Sequence, residues 1–238
     1  ILANTGATIG GTKVKMGIPS FTPVRTVSVN TQAQFESALT GIAEGDDIVI
    51  GSGVNVAIPF GGTRITQKNF RLRSSSEGVP VVINSGSLYV DQSGNSFNGS
   101  RWTIFKDIIF NQSGAPAHSS TTYGGVTFRN GNFWCDNFQI YGTSNTAQIM
   151  SQADSGVFFN CTFRDARADV FSSHYFSQAI AATSQVQLLV NCDISKPGTG
   201  ASDQAVTAHS LVHHHIYGGH IYHPVTASIL DNGGAETI

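Results

Sequence analysis

Apolar and polar positions alternate along this chain in short runs, and Asn, Asp or Gly punctuates the runs. One pattern recurs: a turn-tolerant residue, an apolar one, any residue, then a second apolar one. It occurs as Asn69-Phe70-Arg71-Leu72, Asp107-Ile108-Ile109-Phe110, Asn137-Phe138-Gln139-Ile140, Asn160-Cys161-Thr162-Phe163, Asn191-Cys192-Asp193-Ile194 and, with glycine, Gly218-Gly219-His220-Ile221. Successive copies start 23 to 38 residues apart, an irregular period within solenoid range. Asn, Asp and Gly reach the left-handed backbone region cheaply, so each copy predicts a sharp bend between two strands. Strand side chains alternate with period two, which predicts the inward columns Phe138/Cys161/Cys192 and Ile140/Phe163/Ile194.

Apolar runs before the bends, at 102–105, 133–135, 157–159, 186–190 and 215–217, supply a second strand. Runs at 125–128, 148–150, 179–182, 205–208 and 228–230 supply a third. Three short strands per repeat with no helical period between them predict an all-β fold, a single-stranded right-handed parallel β-helix over residues 23–238 with six to eight coils. Phe105, Phe110, Phe133, Phe138, Phe158 and Phe163 fall at coil periods and are expected in the core. One helix is expected, capped by Asn30 or Thr31, with Phe35, Leu39 and Ile42 on one face and an end near Gly41 to Gly45; it is the candidate N-terminal cap of the solenoid. Residues 1–22, rich in Gly and Thr, read as a linker or contact segment. The chain starts at Ile1 rather than Met, as a processed or trimmed chain would, and Ile238 falls inside what reads as another coil. A C-terminal cap is therefore expected to be absent or supplied by another chain, and the uncovered strand edges favour a homo-oligomer or an added chain.

Composition narrows the partners. Lys and Arg number 13 against 15 Asp and Glu, a formal charge of −2 that offers nucleic acid no electrostatic attraction. No apolar run approaches the ~20 residues of a membrane helix, so no membrane span is expected. Cys135, Cys161 and Cys192 all lie in apolar runs, and an odd count cannot complete a disulfide framework; buried free thiols are expected. His213 and His215 share a strand face near His209 and His220, but no further ligand has metal-site spacing. No metal and no cofactor are expected.

Connections at 111–123, 141–145, 164–177, 195–203 and 223–226 are long and unequal. In a stacked coil they emerge along one edge, where function concentrates. That edge carries Tyr123, Tyr141, Arg167, Tyr175 and the run Arg164-Asp165-Ala166-Arg167-Ala168-Asp169. A glycoside hydrolase needs two carboxyl groups across the scissile bond, open to Asp165, Asp169 and Asp203. A uronate lyase needs a cation for the sugar carboxylate with a base and an acid, open to Arg167, His174 and Tyr175. Alternating Arg and Asp in one loop fit surface ion pairs at least as well. Tyr123, Tyr141 and Tyr175 are sugar-stacking candidates or loop-packing residues. His209, at the end of its strand, occupies a place equivalent to Arg129 and Thr183, a strip that either faces a ligand or is merely solvated.

The run Thr26-Val27-Ser28-Val29, the helix, Gly45-Asp46-Asp47-Ile48-Val49-Ile50 and Asn69-Phe70-Arg71-Leu72-Arg73-Ser74 resemble the opening of the pectin-lyase-like β-helix superfamily, and within it the alginate and chondroitin lyases. The coils from Gly156 to Ile238, with two Asn-Cys bends, Ala205-Val206-Thr207-Ala208-His209-Ser210 and the Gly218-Gly219 bend, resemble those of phage tail spikes and secreted polysaccharide-acting proteins. The resemblance implies a polysaccharide partner, an extracellular or virion-associated setting and, by the tail-spike likeness, a trimer. It implies either a polysaccharide-degrading lyase or glycosidase, or a non-catalytic structural or carbohydrate-binding module such as a virion spike or fibre component. The lyases' Lys/Arg catalytic pair has no recognisable counterpart motif here.

Overall fold

A residue with a side chain is costly at positive φ, and four such residues recur one coil apart: Asp107 (55°), Asn137 (49°), Asn160 (51°) and Asn191 (53°), followed by Gly218 (65°) and Gly219 (79°). The computed structural model in which they are seen describes residues 8–9, 12–13, 19–58, 63–66, 68–85, 88–92, 102–112, 126–129, 131–142, 147–152, 155–164, 169–173, 185–195, 206–209, 212–222, 229–232 and 236–237. Stacked bends share hydrogen bonds. Asn137 Nδ2 donates to Asp107 Oδ1 at 2.7 Å, and Asn191 Nδ2 donates to Asn160 Oδ1 at 2.7 Å. At Gly219 a Cβ would collide with the Cys192 backbone, so only glycine fits there.

Each bend turns the chain from a first sheet into a second. The first sheet runs through Arg25–Val29, Asp46–Ile50, Arg71–Ser74, the opening halves of Trp102–Asn111 and Asn132–Tyr141, then Ser155–Phe159, Gln185–Val190, Val212–Tyr217 and Glu236–Thr237. Val56–Ile58, Val81–Ser85, the closing halves of the two long strands, Thr162–Arg164, Asp193–Ser195 and His220–Tyr222 form the second. The third is a 7-stranded sheet of Thr63–Thr66, Leu88–Asp91, Val126–Arg129, Ala147–Gln152, Asp169–Ser173, Val206–His209 and Ile229–Asn232, one strand per coil. Every pairing within these sheets is parallel and joins equivalent positions of successive coils, which makes the molecule a parallel β-solenoid. Apart from it, Thr8–Ile9 pairs antiparallel with Thr12–Lys13.

Register stacks like on like. The column Ile48–Leu72–Phe105–Cys135–Phe158–Leu189 is core throughout. Phe138, Cys161 and Cys192, each directly after a bend residue, are buried, as are Ile140, Phe163 and Ile194, in agreement with the expected columns. Phe105, Phe110, Phe133 and Phe158 are buried with them, and the rings meet at an angle, 5.7 Å apart for Phe105 and Phe138 and 4.7 Å for Phe128 and Phe133. All three cysteines are free and buried. Burial pushes the Cys135 and Cys161 thiols well above the ordinary thiol range, so these two are packing groups and not nucleophiles.

The helix spans Gln32–Thr40. Its N-cap is Thr31, whose Oγ1 accepts from Gln34 N at 3.2 Å, while Gln34 Oε1 accepts from Asn30 N at 2.7 Å. In chain order the helix falls between the first two strands of the first sheet, and Phe35, Ala38 and Leu39 enter the common core. Among the described residues no helix is long and apolar enough to cross a membrane.

Two expected elements shift. Asn69 is not a bend residue: Arg71–Ser74 pairs with Asp46–Ile50 and Trp102–Asn111, so it belongs to the first sheet. Asn69 instead ties down the corner that enters that sheet, its N–H donating to Glu44 Oε2 at 2.9 Å and its carbonyl accepting from Gly45 N at 2.8 Å. The third-sheet strand expected at 179–182 is Asp169–Ser173, in register with Ala147–Gln152 and Val206–His209. Residues 179–182 lie outside the described residues.

Candidate functional site

Strand alternation in the third sheet sends Ile65, Val90 and Phe128 into the core and their neighbours outward. Two outward columns result, Arg64–Tyr89–Thr127 and Thr66–Asp91–Arg129. Although 27 residues separate them, Arg64 and Asp91 thereby become diagonal neighbours, and Arg64 Nη2 lies 2.9 Å from Asp91 Oδ2. Arg129 approaches from the other side, with Nη1 3.7 Å from the same oxygen and donating to Tyr89 Oη at 3.0 Å. The Arg64 guanidinium also sits 5.0 Å from the centre of the Tyr89 ring. Tyr89 and Asp91 lie beneath these two cations and are buried, whereas the Arg64 side chain is 58% exposed.

Among the described residues two guanidinium groups meet one carboxylate here. Such a cluster suits a ligand carboxylate, which accepts bidentate bonds from Arg. None of Arg64, Tyr89 and Asp91 stood out in the sequence. The signal was Arg129, recognised as equivalent to His209; stepping back one coil from Arg129 in register reaches Asp91.

The sequence candidates fall at both ends of this sheet. Asp169 does not lie in a connection, as expected, but opens the strand Asp169–Ser173, in register with Ala147 and two residues before Phe171. The connection that reaches it is thus only 165–168. His209 closes Val206–His209 and is in register with Asn232; counted through Ser151, Ser173 and Ala208, it belongs to the strip of Arg129 and Gln152. Asp165, Arg167, His174, Tyr175, Asp203 and Tyr123 lie outside the described residues. By chain order, Asp165, Arg167, Asp203 and Tyr123 fall between second-sheet and third-sheet strands. His174 and Tyr175 follow Ser173 and so belong to the run that leads back to the first sheet, at the opposite end of the strand from Asp165 and Arg167. The expected cluster of 164–175 is therefore split by a strand.

Tyr141 ends the strand Asn132–Tyr141 and is half-buried, in register with Asn111 and Arg164, its hydroxyl donating to Gln139 Oε1 at 2.7 Å. Arg164 pairs with Asp193 of the next coil. This second-sheet face is polar from Asn84 through Asn111, Tyr141 and Arg164 to Ser195, and it borders the edge where the long connections leave.

A second charged group lies on the outer face of the first sheet. Asp47 accepts from Arg71 at 2.7 Å and from Arg73 at 3.1 Å; desolvation raises its carboxyl, but these bonds outweigh it and hold the group below the ordinary range. Asp136 differs. Burial pushes its carboxyl up to about 6, the Lys106 charge opposing, with Asp107 and Glu77 adding to the rise.

No family model matches this chain, and no curated protein matches it. Among solved structures it is similar to an alginate lyase from Paenibacillus sp. strain FPU-7, at 14% identity and a TM-score of 0.37, over 82% of this chain and 75% of that one. The strand pairing is that of the parallel β-solenoid which the resemblance to pectin-lyase-like β-helices implies.

Proposed function

We propose that this chain recognises an acidic polysaccharide along the outer face of its third sheet and the connections that enter it, and cleaves it by elimination. The observation that carries the reading is the Arg64–Tyr89–Asp91–Arg129 cluster, with a Tyr oxygen accepting from a guanidinium 3.0 Å away. Equivalent positions repeat at the strand spacing of ~4.8 Å, so a linear polymer lying along the coil axis crosses one outward position of each strip per coil, Thr66, Asp91, Arg129 and Gln152 in the strip of Asp91. In the elimination, Arg64 and Arg129 hold the uronate carboxylate and spread the charge that develops when the proton beside it is lost. Tyr89 oxygen, as phenolate, takes that proton, the electron pair forms the ring double bond, and the glycosidic C–O bond breaks. The leaving oxygen takes its proton from water that enters with the polymer, while His209, three coils along the strip from Arg129, is placed to contact the chain further on. Asp165, Arg167, Asp203 and Tyr123, which by chain order belong to the entering connections, Asp169 at the start of its strand and Tyr141 at the end of its own are the proposed further contacts, and an extracellular setting accords with such a substrate.

A second reading has its own support. Asp91 and Tyr89 already engage both guanidinium groups, as they would in a non-catalytic binding or structural module. Incubation with acidic and neutral polysaccharides separates the readings. Unsaturated-uronate absorbance with acidic glycans alone is expected. New reducing ends without that absorbance would indicate hydrolysis by the aspartates; binding with neither product would favour the module; absence of binding to any acidic glycan would refute the proposal.

A further inference from the structure

The outer faces of the first and third sheets carry buried residues, Trp134 and Phe159 on one and Tyr89 and Asp91 on the other. The second sheet differs. Among the described residues, no outward residue of this sheet from Val82 to Ser195 is buried. Register lines up Asn84, Asn111, Tyr141, Arg164 and Ser195 in one outward column, beside a second that holds Gln139 and Asp193. From Asn84 to Arg164 the column climbs three coils, about 14 Å at ~4.8 Å per coil. A short run of sugar rings fits that length.

Tyr141 is the fixed point of the strip. Its hydroxyl donates to Gln139 Oε1 at 2.7 Å, Gln139 Nε2 donates to Asn137 Oδ1 at 3.1 Å, and Asn137 Nδ2 donates to Asp107 Oδ1 at 2.7 Å. Asp107 and Asn137 are left-handed bend residues held by the stacking of coils, so the phenol is oriented before any ligand arrives. A tyrosine held this way offers an apolar ring at little cost in conformational entropy. One coil back, Asn111 Nδ2 donates to Oδ1 of the exposed Asn84 at 3.0 Å, and such planar amides both give and accept hydrogen bonds, as adjacent sugar hydroxyls require. One coil on, Arg164 meets its counter-charge in Asp193. An anionic polymer gains no net attraction from this pair, whereas an uncharged chain loses nothing by it.

We propose that the outer face of the second sheet is a further, non-catalytic glycan site, which takes a neutral oligosaccharide along the coil axis with one ring stacked on Tyr141 and the flanking rings bonded to Asn111 and Arg164. The site does not rest on the third-sheet reading, with which it shares only Tyr141.

Titration calorimetry of the full chain with neutral oligosaccharides from a glucan, a mannan, a galactan and a xylan reads this site. At least one of them is expected to bind. Tyr141→Ala should weaken that binding about tenfold or more, as loss of an aromatic anchor does, and Asn111→Ala about threefold or more, as loss of a neutral hydrogen bond does. Asn111 lies outside the core, so its variant decides the matter even if Tyr141→Ala does not fold. Absence of binding to every neutral oligosaccharide would overturn the proposal, and so would a parent affinity kept by Asn111→Ala. An acidic oligosaccharide whose affinity falls in step with the neutral one in Asn111→Ala would also overturn it, because the strip would then be part of a single acidic site. Neutral binding with these losses, in a chain that binds no acidic glycan, would strike the third-sheet reading and leave this site standing.

Discussion

The outer faces of the first and third sheets are built by the same alternation on the same coils, yet they differ in kind. From Ile104 to Val190 the first carries buried apolar residues, with Phe21 packed upon them. The third carries Arg64, Tyr89, Asp91 and Arg129, with the Arg64 side chain largely exposed. Inward positions of a solenoid are constrained by stacking, so their composition reports the fold. Outward positions are not, and their composition reports what each face meets. A face of buried tryptophan and phenylalanine is suited to contact with protein, while a face of arginine beside a phenol is suited to an anion in water.

The largest effect is expected where the first face is broken. Trp134→Ala removes a buried aromatic side chain and should cost about 3–5 kcal/mol in urea denaturation, comparable with loss of a core phenylalanine. A cost below about 1 kcal/mol would show that this face is uncovered in solution. On the third face the corresponding break is chemical: Tyr89→Phe keeps the ring and deletes the oxygen. It should lower the elimination rate by about 100-fold or more with polysaccharide affinity nearly unchanged, since general-base groups contribute roughly that much. Equal losses in rate and affinity would make Tyr89 a binding residue only.

Asp136 offers an intermediate test on the first face. Its carboxyl is raised from 3.8 to about 6, so the unfolded chain loses this proton first and stability falls as pH climbs between those values. Asp136→Asn should therefore stabilise the protein by up to about 3 kcal/mol near pH 8 and by almost nothing near pH 4. Asp47, paired with Arg71 and Arg73, has the opposite sign: its contribution is present above its ordinary value of 3.8 and lost as pH falls through the depressed one. Denaturation curves of the Asp136 variant at the two pH values would fail this expectation if the gain were equal at both.

The coils from Asp107 onward were legible because Asp107, Asn137, Asn160 and Asn191 each announce a left-handed bend, which fixes the phase of the next strand and hence the columns through Phe138 and Ile140. Earlier coils lack that marker. Asn69 mimics it but ties a corner to Glu44 and Gly45, and the true passage from Arg71–Ser74 to Val81–Ser85 is a wide turn through Gly78. With the phase lost there, Arg64 and Asp91, which meet only through register, read as isolated charges. The strand Asp169–Ser173 was hidden for another reason: its apolar pair Val170-Phe171 sits between Arg, Asp and Ser residues that read as loop, while Ala179-Ile180-Ala181-Ala182 offered a cleaner apolar run.

The comparison of faces is tested most directly by removing one positive charge from each. Arg64→Gln does so on the third sheet and Lys106→Gln on the first, and titration calorimetry with an acidic polysaccharide reads both. The account predicts about a tenfold loss of affinity for Arg64→Gln, the worth of one charge-assisted hydrogen bond at ~1.4 kcal/mol, with folding stability changed by less than about 1 kcal/mol. Lys106→Gln should bind within about twofold of the parent, a difference of ~0.4 kcal/mol. Equal losses in the two variants, or a loss confined to Lys106→Gln, would contradict the assignment of the third-sheet face as the polysaccharide site.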